Sequence, residues 1–564
     1  MHALMSNRLV RHPLTWILVA AAGLRLAGLL WGLPASDSWD DDGFAPRNFL
    51  TALALTWKPG SFFTYPPLHA ILLAIPALPG ILIAVLHVPS FHQADVIAEF
   101  TKPGTMTYFT VVGRVTSLVM SLGIIWAVGE MARLVAGRQA GLFAAGAAAL
   151  NFALTYYGQV SNLDVPYLFW GVLALLWSMR AVAEQRPQHF WAAALLAAAA
   201  AATKDQAYAL FLLSLPFFLL TWFLIDNYPR QEARVLARVL LPAIAVTLIL
   251  LLLVDGAITN WSGFVKRVAF LAGPAAQDYA EYVQGPAGWR ALLGDMSAYY
   301  SHGYGLVTVS LAFLGLVAHV ARARAGVLAV GLLPAFAILS FTLCFNFAAL
   351  RSDDRFLMPQ AVLACVYIGI AADILAFAAQ AWIQLAARAA LAVTALFALQ
   401  QAIAINAAFL FDPRYEAERW LAAHVQPGDR LETYGQNCFL PRFSSSANVT
   451  RIGQGDLKVR NPLPGVTEVR ALFGAGGKAR FIVVNAKWAE RYLRPQVPLP
   501  QGHIYSRLQQ ADFRNQNARG YFAHLLDGSA GYRLAYTAHY DGLWPAVHIH
   551  DSLDETIWLF ERVS

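Results

Sequence analysis

Long apolar runs recur along most of this chain, separated by short polar loops that contain arginines. Most runs approach the length that a helix needs to cross a bilayer, about 20 residues. The twelve runs fall near 14 to 33, 66 to 88, 107 to 132, 139 to 157, 163 to 181, 190 to 203, 207 to 225, 239 to 256, 304 to 320, 325 to 346, 356 to 378 and 389 to 410. The pattern predicts an α-helical polytopic membrane protein, with a transmembrane domain over residues 1–411.

The pattern changes after Asp412. Apolar runs become shorter, glycine, proline and charged residues become more frequent, and segments such as Phe481 to Val484 and Thr556 to Phe560 read as strands. The remaining stretch, about 150 residues, has the usual size of one domain. The sequence therefore predicts a C-terminal soluble α/β domain over residues 412–564.

Ten arginines in the loops bear on the topology. They are Arg133, Arg138, Arg180, Arg186, Arg230, Arg234, Arg238, Arg322, Arg324 and Arg388. If all twelve runs span from an inside N-terminus, these ten fall outside, against the positive-inside rule. If the proline-interrupted run from 66 to 88 lies along the outer face, all ten fall inside with Arg8 and Arg11. We predict this arrangement, with about 11 spans and outer-face juxtamembrane helices. Twelve spans from an outside N-terminus violate the rule only at Arg8 and Arg11, so that alternative stays open.

The predicted topology places most of the residues with charged or reactive side chains on the outer side. The outer loops are then 34–106, 158–162, 204–206, 257–303 and 347–355. Charged side chains at these helix ends are Asp164, Lys204, Asp205, Arg351, Asp353, Asp354 and Arg355, and Arg114 lies six residues into its helix from the same side. Each alone is typical of an interfacial charge, but together they indicate a shared site.

An acidic cluster follows the first apolar run, with Asp37, Asp40, Asp41 and Asp42 close together. Neighbouring carboxylates repel one another, and a low dielectric raises the cost of ionising all of them. Such a cluster is therefore stabilised by a bound cation or by protonation, or it belongs to a functional site. A solvated acidic loop at the end of the helix is the alternative.

Composition excludes several other classes. A chain of 564 residues that is 58% hydrophobic and 13% charged is too apolar for a soluble globular protein of this length. The net charge of +7 comes from arginines in membrane loops, so it does not indicate nucleic acid. The three cysteines are odd in number, and two lie in apolar runs, which argues against a disulfide framework.

Several short motifs occur in a fixed order. They are L-R-L at 24–26, Asp40 and Asp41 followed by Phe44 and Ala45, Y-P-P-L at 65–68, G-R-V-T-S-L at 113–118, N-L-D-V-P at 162–166, T-K at 203–204, R-F-L-M-P at 355–359 and D-P-R-Y-E-A-E-R-W at 412–420. With these motifs the chain resembles the GT-C superfamily of membrane glycosyltransferases, in particular bacterial relatives of protein O-mannosyltransferases and of the aminoarabinose transferase of lipid A. It departs from the family in having Asp-Asp where an Asp-Glu pair is usual, and in a long stretch over 88–106.

The resemblance implies transfer of a hexosyl or pentosyl unit from a polyprenyl-phosphate donor to an acceptor hydroxyl, usually with inversion. The acceptor, whether protein, lipid or glycan, stays open. The resemblance also implies a multi-pass protein of the bacterial cytoplasmic membrane, with the active site and the C-terminal domain extracytoplasmic.

The family motifs assign roles to particular residues. Asp40 is predicted as the general base, with Asp41 beside it to hold the acceptor or a cation. The predicted substrate-binding residues are Asp42, Tyr65, Arg114, Asp164, Lys204, Arg351 and Arg355. No metal ligands are assigned, and assistance by a divalent metal stays open.

The residue types suit this chemistry. A phosphate leaving group departs as an anion that needs cations more than a proton, and arginine and lysine supply them. The acceptor hydroxyl is a poor nucleophile, so one carboxylate must take its proton. A polytopic lipid or sugar transporter or flippase is the alternative class, although transporters tend to contain internal repeats and mid-membrane charges.

Overall fold

The computed structural model of this protein describes residues 13–35, 37, 39–40, 42–45, 48–225, 230–324, 327–444, 446–454, 466–475, 479–540, 553 and 555–563. Helices form most of the chain up to residue 410, and a six-stranded sheet with flanking helices follows. The helices of the first part are α1 Pro13–Gly23, α2 Phe49–Leu55, α3 Leu68–His87, α4 Gln93–Phe100, α5 Pro103–Ala136, α6 Arg138–Ala149, α7 Phe152–Tyr157, α8 Asp164–Ala183, α9 His189–Ala201, α10 Tyr208–Phe211, α11 Ser214–Ile225, α12 Arg230–Val254, α13 Trp261–Ala272, α14 Pro274–Gln277, α15 Pro286–Gly303, α16 Leu306–Arg322, α17 Leu328–Phe341, α18 Phe347–Ala349, α19 Asp354–Ala376 and α20 Ala381–Leu410.

The polytopic helical architecture predicted from the sequence is confirmed, although fewer helices are long enough to span than the apolar runs suggested. In the described part of the chain, nine helices are long and apolar enough to cross a membrane, or ten if the pair α15 and α16, bent by 111°, counts as one span. The run from 139 to 157 divides into α6 and α7, because Asn151 accepts a hydrogen bond from the Leu154 N–H at 2.9 Å and starts a new helix. The run from 190 to 203 forms only the 13-residue helix α9.

Charged residues mark the two ends of the helical bundle. At one end, which we call the arginine rim, Arg133 and Arg180 both bond to Glu130, at 2.7 and 3.1 Å. At the other end, the site rim, Lys204 bonds to Asp164 at 2.7 Å. Since Asp164 and Arg180 lie near opposite ends of the 20-residue helix α8, the two rims are separated by about one membrane thickness.

The acidic loop, residues 37–45, lies at the site rim. The Phe44 N–H donates to the Ser161 carbonyl at 2.7 Å, and the Ser161 hydroxyl donates to the Ala45 carbonyl at 2.6 Å. Ser161 lies just before α8 begins at Asp164. The carboxylates of the acidic loop and Lys204 therefore face the same side of the bundle, as the predicted topology requires.

Helix α3 has the length and composition of a span, but it packs with outer elements. The Tyr108 hydroxyl donates to the Pro76 carbonyl at 2.9 Å, and Leu73 shares a buried cluster with Phe44 and Phe109. Tyr108 and Phe109 lie in the first two turns of α5. The outer-face position of α3 stays a prediction, which this packing supports.

The C-terminal part forms an α/β unit. Its helices and strands are α21 Pro413–His424, β1 Arg430–Tyr434, β2 Asn448–Gly453, β3 Val466–Arg470, β4 Phe481–Asn485, α22 Ala486–Leu493, α23 Arg507–Arg514, α24 Gln516–Leu526, β5 Tyr532–Ala538 and β6 Ile557–Arg562. The strand order is β3-β2-β1-β4-β6-β5, with β1 to β4 parallel and β6 antiparallel to both β4 and β5. The order of the strands along the chain reverses between β1 and β4.

Both faces of this sheet are covered, which explains why β4 is buried along its whole length. Ile482 and Val484 pack with helix α24, whereas the alternate residues Phe481 and Val483 pack with α21 through Ala417. The boundary at residue 412 stays a prediction, but α21 already belongs to the layer that covers the sheet.

A buried carboxyl group makes the stability of this α/β unit depend on pH. Burial raises the pKa of Glu432 to about 7, and a hydrogen bond from Tyr521 offsets part of this rise. A carboxyl group whose folded-state pKa is raised stabilises the fold below its unfolded pKa, and that contribution is lost as pH rises through the folded pKa.

We therefore expect Glu432→Gln to raise the melting temperature of the full chain in detergent at pH 8 relative to the wild type, and to do so much less at pH 5. The difference between the two pH values corresponds to about 2–3 kcal/mol. Glu490→Gln on α22, where Glu490 pairs with Arg494 at the surface, is the control. An equal effect of Glu432→Gln at both pH values would contradict this account.

Candidate functional site

Two carboxylates of the acidic loop, those of Asp40 and Asp42, lie near two different arginines. Asp40 is fully buried and close enough to Arg114 to interact with it electrostatically. Asp42 forms an ion pair with Arg355, and the two side chains are 28% and 20% exposed. Asp41, predicted to act beside Asp40, lies outside the described residues. The predicted base is therefore enclosed, whereas its neighbour Asp42 lies at an accessible surface.

Arg114 holds the start of the acidic loop in place. It is fully buried on α5, and its Nη1 donates to the carbonyls of Gly28, Leu29 and Trp31 at 3.0, 2.9 and 2.8 Å. These carbonyls belong to the chain that leads from α1 into the loop. These contacts make Arg114 a support of the loop, and its predicted part in substrate binding stays a prediction.

Close packing between α5 and the acidic loop requires the glycine at position 113. A Cβ atom added there would lie 2.9 Å from the Cβ atoms of both Ala45 and Ser161. Contacts this short require a neighbour to move. The small residue next to Arg114 therefore permits the loop to approach the helix.

Three cations surround one aromatic ring at the site rim. Lys204 Nζ, Arg351 Cζ and Arg355 Cζ lie 5.9, 4.8 and 4.8 Å from the centroid of the Phe356 ring. We call these three residues the cation cluster. Because Asp42 pairs with Arg355, the cation cluster and the acidic loop are in direct contact.

Each member of the cation cluster also has a carboxylate partner. Lys204 bonds to Asp164 at 2.7 Å, and Arg351 bonds to Asp353 at 2.6 Å while its guanidinium lies 4.9 Å from the Tyr279 ring. Arg351 Nε is buried and has no hydrogen-bond partner among the described residues, and the guanidinium and ammonium groups carry more N–H donors than these carboxylates use. The cluster is therefore fixed by its carboxylates and retains capacity to bind a further anion.

Tyr65 lies next to the loop rather than at the cation cluster. It is half-buried, and its ring centroid lies 6.0 Å from that of Phe44. The structure thus brings Asp42, Asp164, Lys204, Arg351 and Arg355 together, and places Tyr65 with the part of the loop that follows Asp42.

An apolar groove runs along helix α19. It has a volume of about 520 Å³, and its lining includes Asn151, Tyr304, Gln360, Cys365, Ile368 and Leu391. Gln360 lies five residues after Arg355 on α19, about 8 Å along the helix axis. The groove therefore offers an apolar surface along α19 from Gln360 to Ala372, and no residue of the cation cluster lines it.

Sequence reasoning missed three features of this site. Phe356 lies inside the R-F-L-M-P motif, but the motif was interpreted only through its arginine. Tyr279, in the large outer loop, carries no charge that would have singled it out. Arg267 forms ion pairs with Asp255 at 3.1 Å and with Asp205, the residue after Lys204, at 3.4 Å. The spacing of these residues along the chain does not predict that they pair.

Comparisons with known proteins give similarity of fold only. No protein-family model matches the sequence, and no curated protein matches it significantly. ArnT from Cupriavidus metallidurans bound to undecaprenyl phosphate is 13% identical, with a TM-score of 0.49, and the match covers 86% of this chain and 97% of that chain. The archaeal oligosaccharyltransferase AglB from Archaeoglobus fulgidus, in complex with an inhibitory peptide and a dolichol-phosphate, is 14% identical, with a TM-score of 0.48 and coverage of 93% and 80%.

A third similar structure is the arabinofuranosyltransferase AftD from Mycobacteria, which is 13% identical, with a TM-score of 0.42 and coverage of 97% of this chain and 41% of that chain. At these identities and TM-scores, no residue role is carried from these structures to this chain.

The contact at Gly113 yields a direct test of how the acidic loop is held. We expect Gly113→Ala to lower the melting temperature, because the new methyl group displaces Ala45 or Ser161 at a cost of about 1–3 kcal/mol. Gly104→Ala on the same helix is the control, since a Cβ atom there meets nothing within 4 Å. Equal melting temperatures of the two variants would contradict the close packing described here.

Proposed function

We propose that this chain transfers a sugar from a polyprenyl-phosphate donor to an acceptor hydroxyl at the site rim. The observation that carries the proposal is the cation cluster, which contacts a carboxylate-bearing loop at the start of α19, the helix that also lines the apolar groove. This arrangement matches the three parts of the substrates: a phosphate, a sugar with its acceptor, and a long hydrocarbon chain.

The cation cluster suits the phosphate of the donor. When the bond between the anomeric carbon and the phosphate oxygen breaks, the electron pair stays on the phosphate. Lys204, Arg351 and Arg355 would stabilise this growing negative charge, with arginine forks donating to two oxygens at once. The partial exposure of Arg355 and Asp42 leaves that side of the cluster open to a ligand.

The apolar groove suits the polyprenyl chain. Its lining is almost entirely hydrocarbon, and burying such a chain there removes apolar surface from the polar rim. A donor with its phosphate at Arg355 could extend its first isoprene units along α19 past Gln360. The groove therefore favours a lipid-linked donor over a soluble sugar nucleotide.

Asp40 is the proposed general base. It would accept the proton of the acceptor hydroxyl while that oxygen forms a bond to the anomeric carbon, opposite to the departing phosphate, so that the configuration inverts. Arg114 places an opposite charge near this carboxylate. Asp41 is proposed to hold the acceptor or a cation beside it. These steps are written without a metal, and assistance by a divalent metal stays open.

The proposed location is the bacterial cytoplasmic membrane, with the site rim and the C-terminal domain extracytoplasmic. Support comes from the arginine rim, where Arg133 and Arg180 lie at the opposite end of the bundle from Lys204. The sugar, hexose or pentose, and the acceptor, protein, lipid or glycan, are not distinguished by these residues.

A transfer assay tests the role of Asp40. Membranes that contain the chain are incubated with radiolabelled polyprenyl-phosphate sugars, and transfer to membrane and cell-envelope acceptors is followed. We expect Asp40→Asn to lower turnover by about 10²- to 10⁴-fold with little change in donor binding. Asp95→Asn is the control, because Asp95 lies on α4 and bonds to Ser90. Near wild-type turnover in Asp40→Asn would refute the assignment.

A second pair of variants separates donor binding from chemistry. Lys204→Gln should weaken binding of polyprenyl phosphate by about tenfold or more, because a charged hydrogen bond to phosphate is lost. Lys204→Gln alone also leaves Asp164 unpaired, so the double variant Lys204→Gln/Asp164→Asn is needed. It should recover the melting temperature without recovering binding. Movement of the lipid across the bilayer without any sugar transfer would support the transporter alternative and refute the proposed function.

A further inference from the structure

The sheet of the C-terminal part contains a crevice of the kind that usually takes a ligand. In open α/β sheets, ligands bind outside the carboxyl ends of the strands, where the strand order reverses. Here that point lies between β1 and β4, which end at Tyr434 and Asn485. The residues that follow these strands therefore line the crevice.

Arg414 occupies this crevice. It is fully buried, and its guanidinium donates to the Cys438 carbonyl, four residues after β1. Its Nε and Nη2 bond to the two carboxylate oxygens of Asp412 at 2.9 and 2.6 Å. At the end of β4, Asn485 donates to the Phe439 carbonyl at 3.2 Å. The place of a ligand is thus taken by a side chain of the protein itself.

The guanidinium of Arg414 also stacks on aromatic rings, one of which belongs to the acidic loop. Arg414 Cζ lies 4.2 Å from the ring centroid of Trp39, and the Tyr415 ring lies 4.9 Å from the same centroid. Trp39 is only 2% exposed. A cation is attracted to the face of an indole ring, and more strongly where water is excluded. The residue directly before Asp40 is therefore clamped by the first turn of α21.

The other side of Asp40 is held independently. The Gly43 N–H donates to the Asp40 carbonyl at 3.1 Å, and Phe44 is bonded to Ser161 at 2.7 Å. Besides the contacts of Asp40 with Arg114 and of Asp42 with Arg355, the loop is therefore attached to the helical bundle through Phe44 and to the C-terminal part through Trp39. Loss of the Trp39 contact would loosen the chain directly before Asp40.

We infer that the C-terminal domain uses its strand-reversal crevice to position Asp40, with Arg414 as the positioning residue that acts through Trp39. This inference rests on the proposed role of Asp40 as the base. It assigns to the C-terminal domain a part in the chemistry of the site rim, and it predicts that this crevice does not bind a soluble ligand.

Arg414→Lys tests the inference, because lysine keeps the charge opposite Asp412 but loses the planar fork and its stacking face. Hydrogen exchange of the Gly43 and Phe44 amides in the full chain should become about tenfold faster or more. The kcat of transfer should fall about 10- to 100-fold while the KM for the donor stays unchanged, because a misplaced base slows chemistry and leaves donor binding intact.

Arg480→Lys is the matched control, since Arg480 forms an Arg–Asp pair with Asp429 at 2.7 Å near the amino ends of β1 and β4. It should alter neither exchange nor kcat. If Arg414→Lys does not fold, Trp39→Leu provides the same test from the loop side, and Trp39→Phe should recover most of the effect by restoring an aromatic face.

Each outcome has a defined meaning. Unchanged exchange of Gly43 and Phe44, or faster exchange with unchanged kcat, overturns the inference. If the wild-type chain transfers no sugar, the proposed function fails, whereas the exchange measurement still decides whether Arg414 holds the loop. Faster exchange with a lower kcat and an unchanged donor KM supports both.

Discussion

The site depends on one buried guanidinium. Arg114 lies inside the bundle without exposure to water, where an unpaired charge would be strongly unfavourable. Three carbonyls of the chain after α1 accept its hydrogen bonds, and the nearby carboxylate of Asp40 supplies the opposite charge. The need to compensate this charge ties the first helix, helix α5 and the acidic loop into one unit, against which the other parts of the site are arranged.

The positions of the other charged residues follow from the low polarity of the bilayer. Charged residues are tolerated at helix ends and are unfavourable at mid-membrane, so they collect at the two rims. At the arginine rim they form the structural pairs around Glu130. At the site rim they form the cation cluster around Phe356, whose members pair with Asp42, Asp164 and Asp353. At the site rim these hydrogen-bond donors lie at the start of α19, the helix that also lines the apolar groove, and this combination favours a lipid phosphate as ligand.

The sequence was informative where a residue's place along a helix determines its neighbours. Asp164 and Lys204 begin α8 and follow α9, and short connections bring such ends together, so their shared rim was predictable. The pairing of residues that are far apart in the sequence was not predictable. The pairing of Asp42 with Arg355, the stacking of Trp39 on Arg414 and the carbonyl contacts of Arg114 depend on how helices pack in three dimensions. The division of the run from 139 to 157 was missed for a local reason, because the Asn151 cap was not recognised within an apolar stretch.

The central claim is that the cation cluster binds a lipid phosphate whose chain enters the apolar groove. The most direct test is an experimental structure of the protein in a lipid nanodisc with added polyprenyl phosphate. The account predicts phosphate oxygens about 2.7–2.9 Å from Lys204 Nζ and from the guanidinium of Arg351 or Arg355, with the first isoprene units along α19 near Gln360. A phosphate bound at the arginine rim, or at the site rim with its chain outside the groove, would contradict the account.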